Sequence, residues 1–256
     1  VNGVKYMSDV SESCLVRQLK RYDDLDDRSM VQLAKLENDE RVCVRHEEIS
    51  QNNTTNAHLY VVKRGWLYSY LDWGDGRRQI LKVHLPGDLI GFRDIAFQNV
   101  STTLRAAEDC VICPFPKSGL TPIFEENPRL AALLFTLSAR DQLTLIDIMK
   151  AIGHMSAHDR VLFFLLHLRA RLRVANPKLT DRIRVPLNQT EIGEHLSLTN
   201  VSVSRAIAEL EADGLIDRAS NWFIFKKFDE IVKQTEFENR YSNIDTSWFP
   251  ARRDKN

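Results

Sequence analysis

The chain has 256 residues, with 35 Lys+Arg against 35 Asp+Glu, so its formal net charge is zero. With 43% hydrophobic and 27% charged residues, ten Gly and eight Pro, it has an ordinary globular balance, which excludes a disordered, collagen-like or disulfide-framework chain. The length allows one large domain or two medium ones, and zero net charge argues against a uniformly basic coat but leaves room for a locally basic face.

No apolar run reaches the roughly 18 residues a bilayer span requires. The start carries no basic stretch followed by an apolar one, so no signal peptide is expected. The first methionine is Met7, and the residues before it are expected to come from a non-AUG start or from appended sequence. Cys14, Cys43, Cys110 and Cys113 are too few for a disulfide framework and are expected as free thiols in a reducing cytosol.

Residues 1–29 read as an N-terminal helical segment. Asp23-Asp24-Leu25-Asp26-Asp27 opens a helix, because acidic residues suit its N-terminal dipole. Residues 30–117 read as short strands with turn punctuation. His58-Leu59-Tyr60-Val61-Val62 is rich in β-formers, and Trp66 to Leu71 and Arg77 to Leu85 alternate. Asp72-Trp73-Gly74-Asp75-Gly76 and Pro86-Gly87-Asp88 supply the turns. An antiparallel sandwich or roll follows.

Residues 118–152 switch to helical period, with Asn127 as cap and Pro128 as first helical residue. Leu130, Leu134, Leu137, Leu145, Ile148 and Ile152 keep a 3/4 spacing, interrupted by Asp141. That stripe predicts a seam for pairing with a second helix. Leu133, Leu143 and Ile146 lie off the seam and are expected to face the β domain.

Residues 153–228 open with Ser156 capping an apolar helix over Val161–Leu168. Asn188 then caps a short helix carrying Ile192 and Leu196, and Thr199 caps a second carrying Val203, Ile207 and Leu210. Gly193 permits a close helix crossing and Val203 plugs the angle between the helices: the grammar of a helix-turn-helix. Ser197 takes the turn position where Gly is usual, a cost of about 1 kcal/mol. Arg218-Ala219-Ser220-Asn221 turns into Trp222-Phe223-Ile224-Phe225, a β-hairpin wing.

The second helix offers Thr199, Asn200, Ser202, Ser204 and Arg205 to solvent, residue types that bond bases and phosphates, and its N-terminus favours a phosphate. Gln189, Thr190 and Arg218 complete the candidate DNA contacts. Residues 153–228 hold eleven Lys+Arg against eight acids, while residues 1–110 hold fifteen against seventeen. The balanced total therefore hides a mildly basic segment. Residues 229–256 are a polar extension with Phe237, Tyr241, Trp248 and Phe249. Docking of that extension on its own body and disorder both remain open.

In order and motif the chain resembles the Crp/Fnr family of bacterial transcription regulators, over roughly residues 14–228. Gly65, Asp75-Gly76-Arg77-Arg78-Gln79-Ile80 and Pro86-Gly87-Asp88-Leu89-Ile90-Gly91-Phe92 resemble the family's β-roll. The helix over 118–152 resembles its dimerisation helix. Leu198-Thr199-Asn200-Val201-Ser202-Val203-Ser204-Arg205 resembles the recognition helix of the Fnr/FixK branch. The resemblance implies an α+β fold: an N-terminal, cyclic-nucleotide-binding-like antiparallel β-roll, a long dimerisation helix and a C-terminal winged helix-turn-helix. It implies a cytoplasmic homodimer on palindromic double-stranded DNA that contacts RNA polymerase, neither an enzyme nor a membrane protein. In that branch a Glu, a Ser and an Arg read the half-site. Ser204 and Arg205 match, but Val201 stands at the Glu position, where it can meet a thymine methyl and not a cytosine amine.

The resemblance also frames the signal. Cyclic-nucleotide members carry a ribose-binding Glu where this chain has Phe92, and their Arg-Ser pair falls near Val100-Ser101. Cyclic AMP is not expected, and Phe92, Arg93 and Arg105 are the candidate effector pocket. Iron–sulfur members need three clustered N-terminal cysteines, of which only Cys14 matches, with Cys113 near the roll position; no cluster is expected. His46, His58 and His84 are scattered, so neither haem nor a metal is expected. Cys110 and Cys113 form a candidate redox pair, although an odd separation on a strand sends them to opposite faces. The expectation is a FixK-like regulator, active by default and controlled by abundance or proteolysis. The alternatives are a small-molecule or redox sensor using the roll pocket or Cys110/Cys113 and, more remotely, a cupin-like metalloenzyme built on His46-Glu47-Glu48, His58 and His84.

Overall fold

The computed structural model describes residues 13–251; the expectations for the first twelve residues, Met7 included, lie outside them. The chain divides into two compact units. Of the described residues, one contains 13–69, 83–141 and 243–251, and the other contains 70–82 and 142–242. No helix among the described residues is long and apolar enough to cross a membrane.

The first unit opens with α1 (Cys14–Leu19) and α2 (Asp27–Lys35). Ser13 caps α1 and Asp26 caps α2, each side chain accepting an amide near the helix start. The buried Glu37 carboxylate takes the Ser13 hydroxyl at 2.6 Å and the Leu15 amide at 2.8 Å. A carboxylate so placed meets the positive end of α1, and those bonds offset its burial. The predicted acidic helix start is present, but α2 runs across residue 29, where the sequence placed a boundary.

Eight strands follow: β1 (Arg41–Cys43), β2 (Glu48–Ser50), β3 (His58–Arg64), β4 (Leu67–Asp72), β5 (Arg78–His84), β6 (Leu89–Ile90), β7 (Thr103–Ala106) and β8 (Cys110–Pro116). They form two four-stranded sheets, ordered β1-β8-β3-β6 and β2-β7-β4-β5. β8 pairs antiparallel with β1 and β3, β3 with β6, and β2 with β7. Leu67 to Tyr70 are all buried, so the alternation read in β4 gives way to a strand covered on both faces. The turns at Gly76 and Gly87 take the positive φ that glycine favours, 84° and 91°.

Strand β8 divides the cysteines. Cys110 pairs in register with Cys43 of β1, and both belong to a small core with Leu67 and Ile112. Cys113 lies in the larger core with Leu15, Leu59, Phe115 and Leu133. The CxxC is therefore no dithiol, and its reading as a redox pair is corrected: the strand sends the two thiols to different cores. Burial pushes Cys110 and Cys113 up to about 12, which makes both poor nucleophiles.

Helices α3 (Thr121–Glu126) and α4 (Pro128–His154) follow. Asn127 Oδ1 accepts the Leu130 amide at 3.1 Å, the expected cap. The first half of the expected seam needs correction, while Leu145 is exposed (39%) and Ile148 and Ile152 are half-buried. Leu130 and Leu134 are only 2% and 3% exposed, in the first unit's core, and Leu137 packs against that core. The exposed stripe is Phe135 (68%), Ala139, Gln142, Ile146, Met149 (71%) and Gly153. Leu143 and Ile146, expected against the β domain, are exposed as well. Both faces of α4 keep a 3/4 spacing, and the roll's apolar surface takes the leucine-rich one.

The second unit holds α5 (Ala157–Ala175), β9 (Arg182–Arg184), α6 (Gln189–Leu196), α7 (Asn200–Ala212), β10 (Ile216–Ala219), β11 (Trp222–Phe225) and α8 (Phe228–Thr235). Its sheet runs β10-β11-β9. Ser156 caps α5 as expected. Three of its features differ from the sequence reading, the first being α8, which forms where a polar extension was read. β9 was not anticipated, because Ile183 alone alternates between arginines. The hairpin tip 70–82 groups here, although the sequence assigned it with residues 30–117.

Candidate nucleic-acid interface

The helix pair α6–α7 is built by local chemistry. Asn188 and Glu191 form a reciprocal capping box at the start of α6. At its end Ser197 adopts φ 55° and ψ 44°, the left-handed turn expected there. Thr199 Oγ1 accepts the Ser202 amide at 3.1 Å and begins α7. Val203, Ile207 and Leu210 are buried beneath α7, with Ile192 and Leu196 beneath α6.

The last carbonyls of α6 would be orphaned without further partners. Gln79 Nε2 donates to the His195 carbonyl at 3.3 Å, and Arg160 Nη1 to the Leu196 carbonyl at 3.3 Å. The Ser197 hydroxyl in turn donates to Gln79 Oε1 at 3.1 Å. His195 Nδ1 donates to the Ile80 carbonyl at 3.0 Å, and the ring lies 5.2 Å from Phe164. Burial pushes His195 down to about 4, so it is neutral at physiological pH. The hairpin residues Gln79 and Ile80 thus clasp the helix-turn-helix at its turn, a role the sequence did not signal.

On α7 the outward residues are Thr199, Asn200, Val201, Ser204 and Arg205. Ser202 is half-buried and its hydroxyl meets Thr199 Oγ1 at 2.8 Å, so it serves the cap first. Val201 is 76% exposed. A branched apolar side chain that far out gains nothing from a core. The Arg205 guanidinium stands 3.9 Å from Glu209, one helical turn on. Such an exposed pair is weak, so the guanidinium remains available to a phosphate or a guanine. No acid occupies the first turn of α7, leaving the positive helix end unopposed.

Around it, Thr190 is exposed and Gln189 half-buried at the start of α6. Arg218 folds back on the wing, donating through Nε to the Ser220 carbonyl at 3.1 Å and lying over the Phe223 ring. Two cations missed in the sequence, Arg182 and Arg184, are exposed on β9, and Arg182 stacks on Trp222 at 4.1 Å. Their only signal was the alternation Arg-Ile-Arg. These exposed groups are rich in donors, of the kind that suits an anionic, hydrogen-bonding partner.

In the first unit the candidate effector residues have separate partners. Arg93 donates to the Thr102 hydroxyl at 2.7 Å, Arg105 to the His46 carbonyl at 2.9 Å, and Phe92 packs on the larger core. Among the described residues, no three His, Cys, Asp or Glu side chains group as a metal site.

Comparison with known proteins agrees with this geometry. Residues 159–230 match the model of the Crp-like helix-turn-helix domain, and residues 40–127 that of the cyclic nucleotide-binding domain. The nitrogen fixation regulation protein FixK of Bradyrhizobium diazoefficiens is 32% identical over 170 residues, covering 66% of this chain and 70% of that protein. The regulatory protein HlyX of Actinobacillus pleuropneumoniae is 24% identical over 222 residues, covering 86% and 92%. Among solved structures, FixK2 from Bradyrhizobium japonicum superposes with a TM-score of 0.69 at 26% identity, covering 76% of this chain and 95% of that one.

Proposed function

Because the chain belongs to the Crp/Fnr family of DNA-binding transcription regulators, we propose that it binds a palindromic promoter site as a homodimer, with one α7 in each of two major grooves. The observation that carries this reading is the outward row of α7: Thr199, Asn200, Val201, Ser204 and Arg205 on a capped helix with no acid in its first turn. Arg205 reads guanine or grips a phosphate, and the smaller polar residues bond neighbouring edges.

The stripe Phe135, Ala139, Gln142, Ile146, Met149, Gly153 on α4 supports the dimer. Its spacing of four and three residues in alternation suits a paired helix, and its large apolar residues are otherwise exposed. Two identical helices that bury this stripe relate the two readers by a twofold axis, which the palindrome mirrors. RNA polymerase is the further partner and the cytoplasm the compartment. The protein acts by binding, without catalysis.

The roll takes no cyclic nucleotide in this reading. Phe92 offers no carboxylate to a ribose, and Arg93 and Arg105 are engaged by Thr102 and the His46 backbone. A cyclic phosphate finds no guanidinium there that is not already engaged, so the residues present do not fit it. The regulator is active by default and controlled by abundance or proteolysis.

Selection of DNA from a random pool, with and without cell-extract metabolites, tests the proposal. The expected result is one inverted repeat, with half-sites about one helical turn apart, recovered equally in both arms. Recovery only with metabolites overturns the default-active reading, and recovery of no repeat overturns the dimeric one.

A further inference from the structure

Strand β1 lies at the edge of its sheet and pairs there with β8 alone. In that pairing Cys43 stands directly opposite Cys110. The two thiols share a side-chain hydrogen bond and are buried in the same small core, with Leu67, Ala106 and Ile112. Just beyond the pair the Arg45 amide donates to Asp109 Oδ1 at 2.9 Å, which pins the register. Gly65 confines Cys110 as well, since a Cβ on Gly65 would lie 2.6 Å from the Cys110 Cβ.

Opposed residues of an antiparallel ladder have Cα atoms about 4.5–5.5 Å apart. That separation falls within the roughly 4.4–6.8 Å a disulfide spans. The other two cysteines are placed differently. The Cys14 thiol donates to the Lys63 carbonyl at 3.2 Å and accepts from Arg17 Nη2 at 3.1 Å, and Cys113 lies in the larger core.

We propose that Cys43 and Cys110 are an oxidisable pair that closes into a cross-strand disulfide and fastens the edge strand β1 to β8. This goes beyond the DNA-binding reading, lies wholly within the first unit and stands whether or not α7 reads DNA. While β1 is seated, burial holds both thiols protonated, so reaction begins when the strand lifts. That opening is local: β1 has three residues, is bonded along one side and carries the exposed Val42, with Val44 exposed beside it. In water Cys43 regains an ordinary thiol acidity. Its thiolate attacks a small-molecule disulfide, oxidised glutathione, forming a mixed disulfide and releasing one glutathione thiolate. Before β1 returns, the Cys110 thiolate, uncovered by the same opening, attacks the Cys43 sulfur and expels the second glutathione. The protein pair is oxidised by two electrons, one disulfide is reduced to two thiols, and the two cysteine protons end on the departing glutathiones.

The test equilibrates the full-length protein, without denaturant, in glutathione buffers from fully reduced to fully oxidised. Samples are quenched in acid, unfolded, alkylated and mapped by mass spectrometry. The expected result is a linked Cys43–Cys110 peptide pair, with Cys14 and Cys113 alkylated. The linked protein is expected to unfold at higher urea, because the bond closes the long loop between residues 43 and 110 in the unfolded chain. Amide exchange at Val42–Val44 is expected to slow about tenfold or more. The rate of linking is expected to stay nearly flat in urea well below the unfolding midpoint, as local opening requires. Cys43 and Cys110 still alkylated in the fully oxidised buffer, glutathione caps without the link, a link between other cysteines, or a rate that climbs with urea in step with global unfolding overturns the proposal.

Discussion

The Leu198 amide donates to the Gly193 carbonyl at 2.9 Å, and a Cβ on Gly193 would lie 2.5 Å from the Leu198 carbonyl oxygen. The turn between α6 and α7 is thus closed backbone against backbone, with no flexible side chain to yield. Gly193→Ala is expected to cost about 2–3 kcal/mol in urea unfolding and to weaken DNA binding with it. Gly74→Ala, where nothing lies within 4 Å, is the control and is expected to be near neutral.

The exposed stripe of α4 makes a prediction that differs from the Leu130, Leu134, Leu137 half of the seam the sequence suggested. Ile146→Asp or Met149→Asp is expected to give a folded monomer in sedimentation at micromolar concentration, with palindrome binding reduced at least tenfold. Leu134→Asp is expected to unfold the first unit instead, because it buries a charge among Leu15, Leu130 and Leu133. A dimer that survives both stripe substitutions contradicts this assignment.

Much of the helix-turn-helix was legible because its signals are local. Asn188, Thr199 and Val203 act within a few residues of themselves, and Ser197 takes the left-handed turn that its position demands. The register of α4 was not legible, since apolar residues recur on more than one face and only the roll's surface decides which is covered. The pairing of Cys110 with Cys43 and the clasp of Gln79 on Ser197 join residues far apart in sequence, where no periodic pattern points. Phe237, Tyr241 and Phe249 were visible as aromatics among charges, but their partners, Phe163, His167 and the core around Leu130, were not.

His195 gives the second unit a pH signature. Its folded pKa, about 4, lies below its unfolded value, so the unfolded chain takes up the proton first. Its contribution is flat above about pH 6.5 and falls as the pH drops from there towards 4, by on the order of 3 kcal/mol. His195→Gln is expected to lower stability at pH 7 and to flatten the slope between pH 6.5 and 4.5 in urea titrations. A variant with the wild-type slope places the proton uptake elsewhere.

Val201 is expected to set one base of each half-site. Its methyl groups suit a thymine C5-methyl, whereas a carboxylate there accepts from cytosine N4. Val201→Glu is expected to shift the selected base at that position from thymine to cytosine, a change of about 1–3 kcal/mol in preference. Identical consensus sites from the two proteins place Val201 away from the bases.

The central claim is that α7 reads DNA through Arg205, and titration of the selected palindrome with Arg205→Ala in moderate salt tests it most directly. Fluorescence anisotropy gives the affinity, and urea unfolding confirms that the exposed substitution leaves the fold intact. The expected result is a loss of about 1–3 kcal/mol per half-site, at least tenfold in affinity, with relaxed preference at one base pair. Affinity and preference unchanged from the wild-type protein contradict the account.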